Sequence, residues 1–299
     1  MKIFVISKKT LMLALGALLV VIAAIIFALT SIGGKSEAPD GGDPSVGTSG
    51  NTLGNASSNV SGNVSSGNHG NVVEQYELDV LAGLMKELPV YSVSREDKKI
   101  ALTIDAAWDD DKTDFILETL QRYNIKATFF LCGFWAKDYP EKVKLIHEQG
   151  HVIGNHSMTH PHMNSQSSAQ ILNELKSYDD LLESIIGTRS TLFRAPYGEY
   201  NDNVITTVRS AGYEVIQWDV DTVDWKEERS AQTILDTVFS KLKDGSIILC
   251  HNNGYKIEQY LPTLIETALE QGYEFVTVSE LLHSGSTIID VNGVQKPAE

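Results

Sequence analysis

The sequence predicts an α/β fold built on parallel strands, and three observations predict it. Seven short strand-like runs alternate with helix-like segments of about ten residues or more, the pattern of parallel strands joined by crossover helices. Apolar runs such as Ile247-Ile248-Leu249 do not alternate with polar residues, as suits strands covered on both faces. The helix-like segments often close on glycine, at Gly150, Gly187, Gly212, Gly245 and Gly272, the usual C-terminal stop. Periodicity alone leaves a closed barrel and an open doubly wound sheet both standing.

Taken in order, the chain begins with a short segment, 1–10, holding Lys2, Lys8 and Lys9, and then an uncharged run over 11–32. A run of roughly 22 residues is long enough to cross the hydrocarbon layer. No small-residue cleavage site follows it, which favours a retained anchor over a removed signal peptide. The lysines before it, with little charge just after it, orient the N-terminus to the cytoplasm and the rest outside. Residues 33–72 are mostly Gly, Ser, Asn, Val and Thr, a composition that buries too little apolar surface to offset its chain entropy and so reads as a flexible tether. A lead-in over 73–97 combines a weakly amphipathic stretch with an extended segment at 89–93. Strand-like runs then fall at 99–105, 126–132, 151–155, 191–195, 214–219, 246–251 and 274–278, and helix-like runs at 113–123, 141–149, 169–186, 203–211, 231–243 and 261–271. The folded body is therefore 98–282, with a tail at 283–299.

The formal net charge is −15, and the anchor region contributes three lysines and no acid, so the exported part is more acidic still. Such a surface argues against nucleic acid and anionic lipid as partners, since both require cationic patches. A neutral or cationic polymer remains. Cys132 and Cys250 each sit in an apolar strand-like run and are expected as buried free thiols.

The unusual polar residues all fall at the C-terminal ends of strands: Asp105, then His156 and His160, Arg194, then Asp219, Asp221 and Asp224, and His251. In parallel α/β architectures that edge is where sites form. Capping or strand termination explains any one of these residues, but not five strand ends together. His156 and His160 are four apart, so a helical turn there would stack their imidazoles about 5–6 Å apart at Cβ, where they can share one divalent cation. Surface histidines in a loop are the plain alternative.

The segments Leu102-Thr103-Ile104-Asp105, His156-Ser157-Met158-Thr159-His160, Arg194-Ala195-Pro196-Tyr197-Gly198, Asp221-Thr222-Val223-Asp224-Trp225 and Leu249-Cys250-His251 resemble, in order, the five motifs of the polysaccharide deacetylases of the NodB-homology carbohydrate esterase family. The anchor and the Asp-Ala-Ala-Trp form of the first motif are most similar to a membrane-bound, sporulation-associated, peptidoglycan-type branch. The resemblance implies a distorted (β/α) barrel of seven or eight strands, and hydrolysis of the N-acetyl group of an amino sugar in a cell-wall polysaccharide. It also implies a divalent metal, usually zinc, on His156 and His160. Asp105 is then the general base, held by Arg194, and Tyr197 lends a backbone N–H to the oxyanion. His251 is the general acid, oriented by Asp224. Trp225 and Leu249 wall a pocket for the acetyl methyl group, although each is equally at home as plain core.

One position departs from the family. Where a second aspartate normally ligates the metal, this chain has Ala106, and alanine cannot ligate. Asp109, Asp110 and Asp111 follow, and Asp110 is the favoured replacement, because a five-residue loop from Asp105 can turn back over the strand end with Trp108 packed beneath. The same acids could instead be solvated or cap the next helix. Two further readings stay open: a catalytically weak wall-binding protein that keeps the fold, and a deacetylase or esterase acting on chitin-like polymers or acetylated xylan.

Overall fold

The computed structural model describes residues 87–298; the sequence readings of an anchor, a tether and most of the lead-in lie outside them. Among the described residues no helix is long and apolar enough to cross a membrane. The elements run β1 (Ser92–Val93), β2 (Lys99–Ala106), α1 (Thr113–Arg122), β3 (Thr128–Leu131), α2 (Gly133–Asp138), α3 (Pro140–Glu148), β4 (Val152–Asn155), α4 (Ser168–Ile186), β5 (Leu192–Phe193), α5 (Asp202–Ser210), β6 (Glu214–Val215), β7 (Val220–Asp221), α6 (Ala231–Lys241), β8 (Ile247–His251), α7 (Ile257–Glu270), β9 (Glu274–Phe275), α8 (Val278–Leu281), β10 (Thr287–Ile289) and β11 (Val294–Pro297).

The main sheet is parallel, with neighbours in the order β6-β5-β4-β3-β2-β8-β7, and β9 pairs with the start of β2. Its two outermost strands, β6 and β7, are consecutive in the chain and joined by only Ile216–Asp219. The sheet must therefore curl until its edges come close, which resolves the alternatives in favour of the distorted barrel. The link is hydrogen-bonded to three partners: Ile216 N donates to Phe193 O, Gln217 N to Val90 O and Asp219 N to Ile247 O. The run 214–219 is thus not one strand. Val90 of the lead-in bridges to Ile216 and fills the position where the strand would have continued.

Two of the three apolar clusters pack the middle of the sheet. One packs β2, β3 and β8 against the helices through Ile104, Leu117, Phe129, Ile248 and Leu264, and the other gathers Val90, Phe130, Ile216, Ile247 and Leu281. The strands have no alternation because both faces are buried: β2 is buried from Ile100 to Ala106. Helix α4 has both ends marked, with Ser167 accepting from Gln170 N in a capping box and Gly187 ending it in the left-handed region.

The described part of the tail, 283–298, is not loose. β10 and β11 form a hairpin, and β11 adds β1 to make a separate three-stranded sheet. Its turn is pinned by the Asp290 carboxylate, which accepts from Asn292 N and Val294 N, and Gly293 takes φ +75°. The Asn-Gly pair between two apolar runs was the available signal. Cys132 and Cys250 are buried free thiols, as expected.

Candidate active site

The C-terminal ends of β2, β4, β5, β7 and β8 surround one cavity of about 470 Å³, within the range of small-molecule sites. Parallel pairing places Asp105 of β2 directly opposite His251 of β8, so the two ionisable groups face the cavity from adjacent strands. Burial alone would raise the Asp105 carboxyl. The charge of Arg194, supported by that of His251, outweighs it and holds the group below the ordinary carboxylate range. Arg194 is fully buried over the Phe130 ring and donates to Asp105 Oδ1 at 2.7 Å, Thr103 Oγ1 at 2.9 Å and Gln217 O at 3.0 Å. Thr103 and Gln217 fix that guanidinium through Nη1 and Nη2; Thr103 stands in the first motif, where nothing marks it for a role, and Gln217 lies outside the five motifs.

His251 is set by a second network. Its Nδ1 lies 2.7 Å from Asp224 Oδ1, and its backbone N–H donates to Asp224 Oδ2 at 3.1 Å. Burial opposes the imidazolium, yet the hydrogen bond and charge of Asp224, with Asp105 and Asp221 behind it, raise the His251 pKa. Asp224 is itself fully buried and also accepts from the Tyr260 hydroxyl at 2.6 Å. Tyr260, on α7, had no sequence signal beyond helical spacing. Gly254 is required beside this carboxylate, since a Cβ there would come within 2.2 Å of Asp224 Oδ2.

His156 and His160 are brought together, but not by a helix. Ser157 and His160 both take positive φ, and the loop is closed by Asn155 Oδ1 accepting from Ser157 N and Ser157 Oγ accepting from His160 N. The rings stand 5.0 Å apart at 71°. Desolvation lowers both pKa values, that of His160 to about 4, so the imidazoles are neutral. His156 Nδ1 is 2.9 Å from Arg194 O, and as the donor to that carbonyl it leaves Nε2 as the free lone pair. His156 Nε2 lies 3.8 Å from Asp105 Oδ2, and His160 Nδ1 is buried with no hydrogen-bond partner. Two neutral imidazoles with unspent ring nitrogens are donors of the type a divalent transition metal takes.

The third place is different. Ala106 is buried in the core, and among the described residues no three His, Cys, Asp or Glu side chains converge to hold a metal. Asp110 does not line the cavity, nor do Asp109 and Asp111. The cause is the loop's backbone: Asp109 O accepts from Trp135 Nε1 and Asn252 Nδ2, both at 2.6 Å, with Asp109 at φ +54°, while Asp110 O accepts from Thr113 N to open α1. Trp108 does not pack beneath the turn; it lies edge-on to His160 at 4.9 Å and faces the cavity.

Tyr197 takes φ +58° just after β5, with its ring 4.5 Å from that of His160, and Trp225 and Leu249 both line the cavity. Trp225 is exposed and Leu249 buried. Asp219, grouped by sequence with the strand-end acids, is structural: it accepts from Ile247 N and Ser246 Oγ. Asp221 does line the cavity, and its Oδ1 accepts from Val223 N at 2.7 Å.

Comparison with known proteins gives a consistent answer. The family model described as polysaccharide deacetylase matches residues 92–216. The peptidoglycan-N-acetylglucosamine deacetylase PgdA of Listeria monocytogenes is 36% identical over 65% of this chain, which spans only 41% of that relative's length. A peptidoglycan-N-acetylglucosamine deacetylase of Bacillus cereus is 35% identical, covering 62% of this chain and 69% of the relative. Among solved structures, BA3943 of Bacillus anthracis, a CE4 family pseudoenzyme, is 33% identical with a TM-score of 0.62, covering 64% of this chain and 68% of that one. A mutant of it has restored enzymatic activity.

Proposed function

The chain belongs to the polysaccharide deacetylase family, and on that premise we propose that it hydrolyses the N-acetyl group of an amino sugar in a cell-wall polysaccharide, peptidoglycan before others. The observation that carries this reading is the pair Asp105 and His251. Two titratable groups on adjacent strands of one cavity have their pKa values driven apart, the carboxyl down and the imidazole up, which is how one site keeps a base and an acid ready together. A binding module has no use for such a pair.

Asp105, ionised and oriented by Arg194, accepts the proton of the attacking water. The backbone N–H of Tyr197 faces the oxyanion, and Trp225 and Leu249 hold the acetyl methyl group. His251, kept charged by Asp224, returns a proton to the departing amine. His156 and His160 would hold a divalent cation, zinc by their chemistry, and what that ion would supply is Lewis acidity toward the amide carbonyl and its water. The run at 11–32 would anchor the protein in the cell membrane with this domain outside, where such a polymer lies.

A second reading is favoured by Ala106. On this reading, a site without a third protein ligand holds metal too weakly to turn over and leaves a wall-binding protein, and the similarity to a pseudoenzyme is consistent with that. Acetate release from purified peptidoglycan, chitin oligomers and acetylated xylan, with and without chelator, separates the readings. Activity on peptidoglycan that chelator abolishes and zinc restores is the expected result, and Asp105→Asn and His251→Ala each then lower turnover by a factor on the order of 10² or more. No acetate from any of the substrates at saturating metal would replace the hydrolase reading with the binding one.

A further inference from the structure

Trp108 carries the largest apolar surface in a loop that has lost its metal carboxylate, and it is left half in water, 51% exposed. Its position is fixed from both sides. On one side its ring lies edge-on to His160 at 4.9 Å and tilted against Phe134 at 6.4 Å. On the other, the next residue's carbonyl is held by two side-chain donors, one of them from the buried Trp135. A large aromatic plane so held loses little entropy when a ligand stacks on it. Trp108 is also placed where stacking matters: it lines the same cavity as Asp105 and His251, and the exposed ring of Trp225 lines it as well.

We propose that Trp108 is a specificity-determining residue, the platform on which a pyranose ring adjoining the deacetylated one stacks, so that the site selects oligosaccharides over single sugars. The inference rests on the hydrolase reading above and names a subsite of it. The occupant follows from the chemistry of the rim. A pyranose presents an apolar C–H face edged by hydroxyls, which complements an aromatic plane beside polar groups. Nucleobases, the other common stacking partners, arrive on a phosphate chain that a protein of net charge −15 repels. Ala107, beside Trp108 on the cavity wall, brings no charge and leaves that ring as an apolar surface there.

The test uses zinc-loaded full-length protein carrying Asp105→Asn to stop turnover, compared with the same protein carrying Trp108→Ala or Trp108→Phe in addition. N-acetylglucosamine and its β-1,4-linked tetramer are titrated by calorimetry, and thermal melts confirm that each variant is folded. Trp108→Ala should weaken tetramer binding about tenfold, the size of one lost stacking contact, and leave the monomer unchanged, while Trp108→Phe should keep most of the tetramer affinity. In the active protein, Trp108→Ala should raise KM for the tetramer with kcat nearly intact. Equal losses for monomer and tetramer, or no loss for either, would overturn the platform while acetate release stands. Failure of the parent protein to bind either saccharide, with no acetate released, would overturn this inference and the hydrolase reading together.

Discussion

Val223 is a β-branched residue at φ +52°, a conformation that costs on the order of 1–2 kcal/mol outside glycine. The cost is met locally by Asp221, whose carboxylate accepts the Val223 N–H, and the strained turn delivers Asp224 to His251. Asp221 is therefore a positioning residue. Replacing it as Asp221→Ala should relax the turn, loosen the Asp224–His251 hydrogen bond and lower the alkaline pKa of the kcat/KM profile, because His251 would lose its proton at lower pH. Asp221→Asn, whose side-chain oxygen still accepts from Val223, should recover most of the rate. An unchanged alkaline limb in Asp221→Ala would show that Asp224 holds its place without the turn. At this scale the sequence was informative about which ionisable side chains gather at the strand ends, as with Asp105, His156, Arg194 and His251. It was silent on their supports. Thr103, Gln217 and Tyr260 act through single hydrogen bonds across distant segments, and residue type alone does not announce that.

Among the elements, the long periodic ones were legible: α4 and α7 are marked by repeating apolar faces, and β2 and β8 by unbroken apolar runs. The errors share a physical cause. The run 214–219 reads as one strand because its residues are apolar enough, but its backbone N–H groups at Gln217 and Asp219 donate to Val90 O and Ile247 O, and these tertiary bonds divide it. The loop after Asp105 was expected to bring Asp110 inward, and backbone acceptors at Asp109 hold it outward instead; side-chain charge was visible in the sequence and carbonyl partners were not. The hairpin of β10 and β11 predicts a stability effect. Gln295 is buried, its backbone oxygen accepts from Ser94 N, and its side chain accepts from His283 N. Deleting 284–299 should strip β1 of its partner and lower Tm by several degrees, roughly the effect of 1–2 kcal/mol in a domain of this size. A melting curve superimposable on that of the intact protein would mean the small sheet is decoration.

For the molecule as a whole, part of the acid sensitivity should come from a residue far from the proposed chemistry, in addition to His156 and His160 at the site. His151 is buried beside Phe129, its Nδ1 accepts from Ala127 N, and its Nε2 has no partner. Desolvation, then the charge of Lys126, lowers its pKa to about 4. The unfolded chain takes up that proton near pH 6.5 and the folded one only near pH 4, so folding is favoured above this window and the advantage is lost as pH falls through it. The full effect is up to about 3 kcal/mol. His151→Gln should flatten the fall in urea-measured stability between pH 6.5 and 4, and an unaltered slope would place the sensitivity elsewhere.

The link 216–219 also has a mechanical role. Five residue steps from β6 to β7 span at most about 17 Å, so the covalent chain itself limits how far the two margins of the sheet can part. A barrel fastened in this way behaves as a hoop with a clasp: its girth is set at folding and does not respond to cargo. Any adjustment to a bulky ligand then falls to what stands on the rim, the loops bearing Trp108, Tyr197 and Trp225, while Asp105 and His251 on the staves beneath keep their separation.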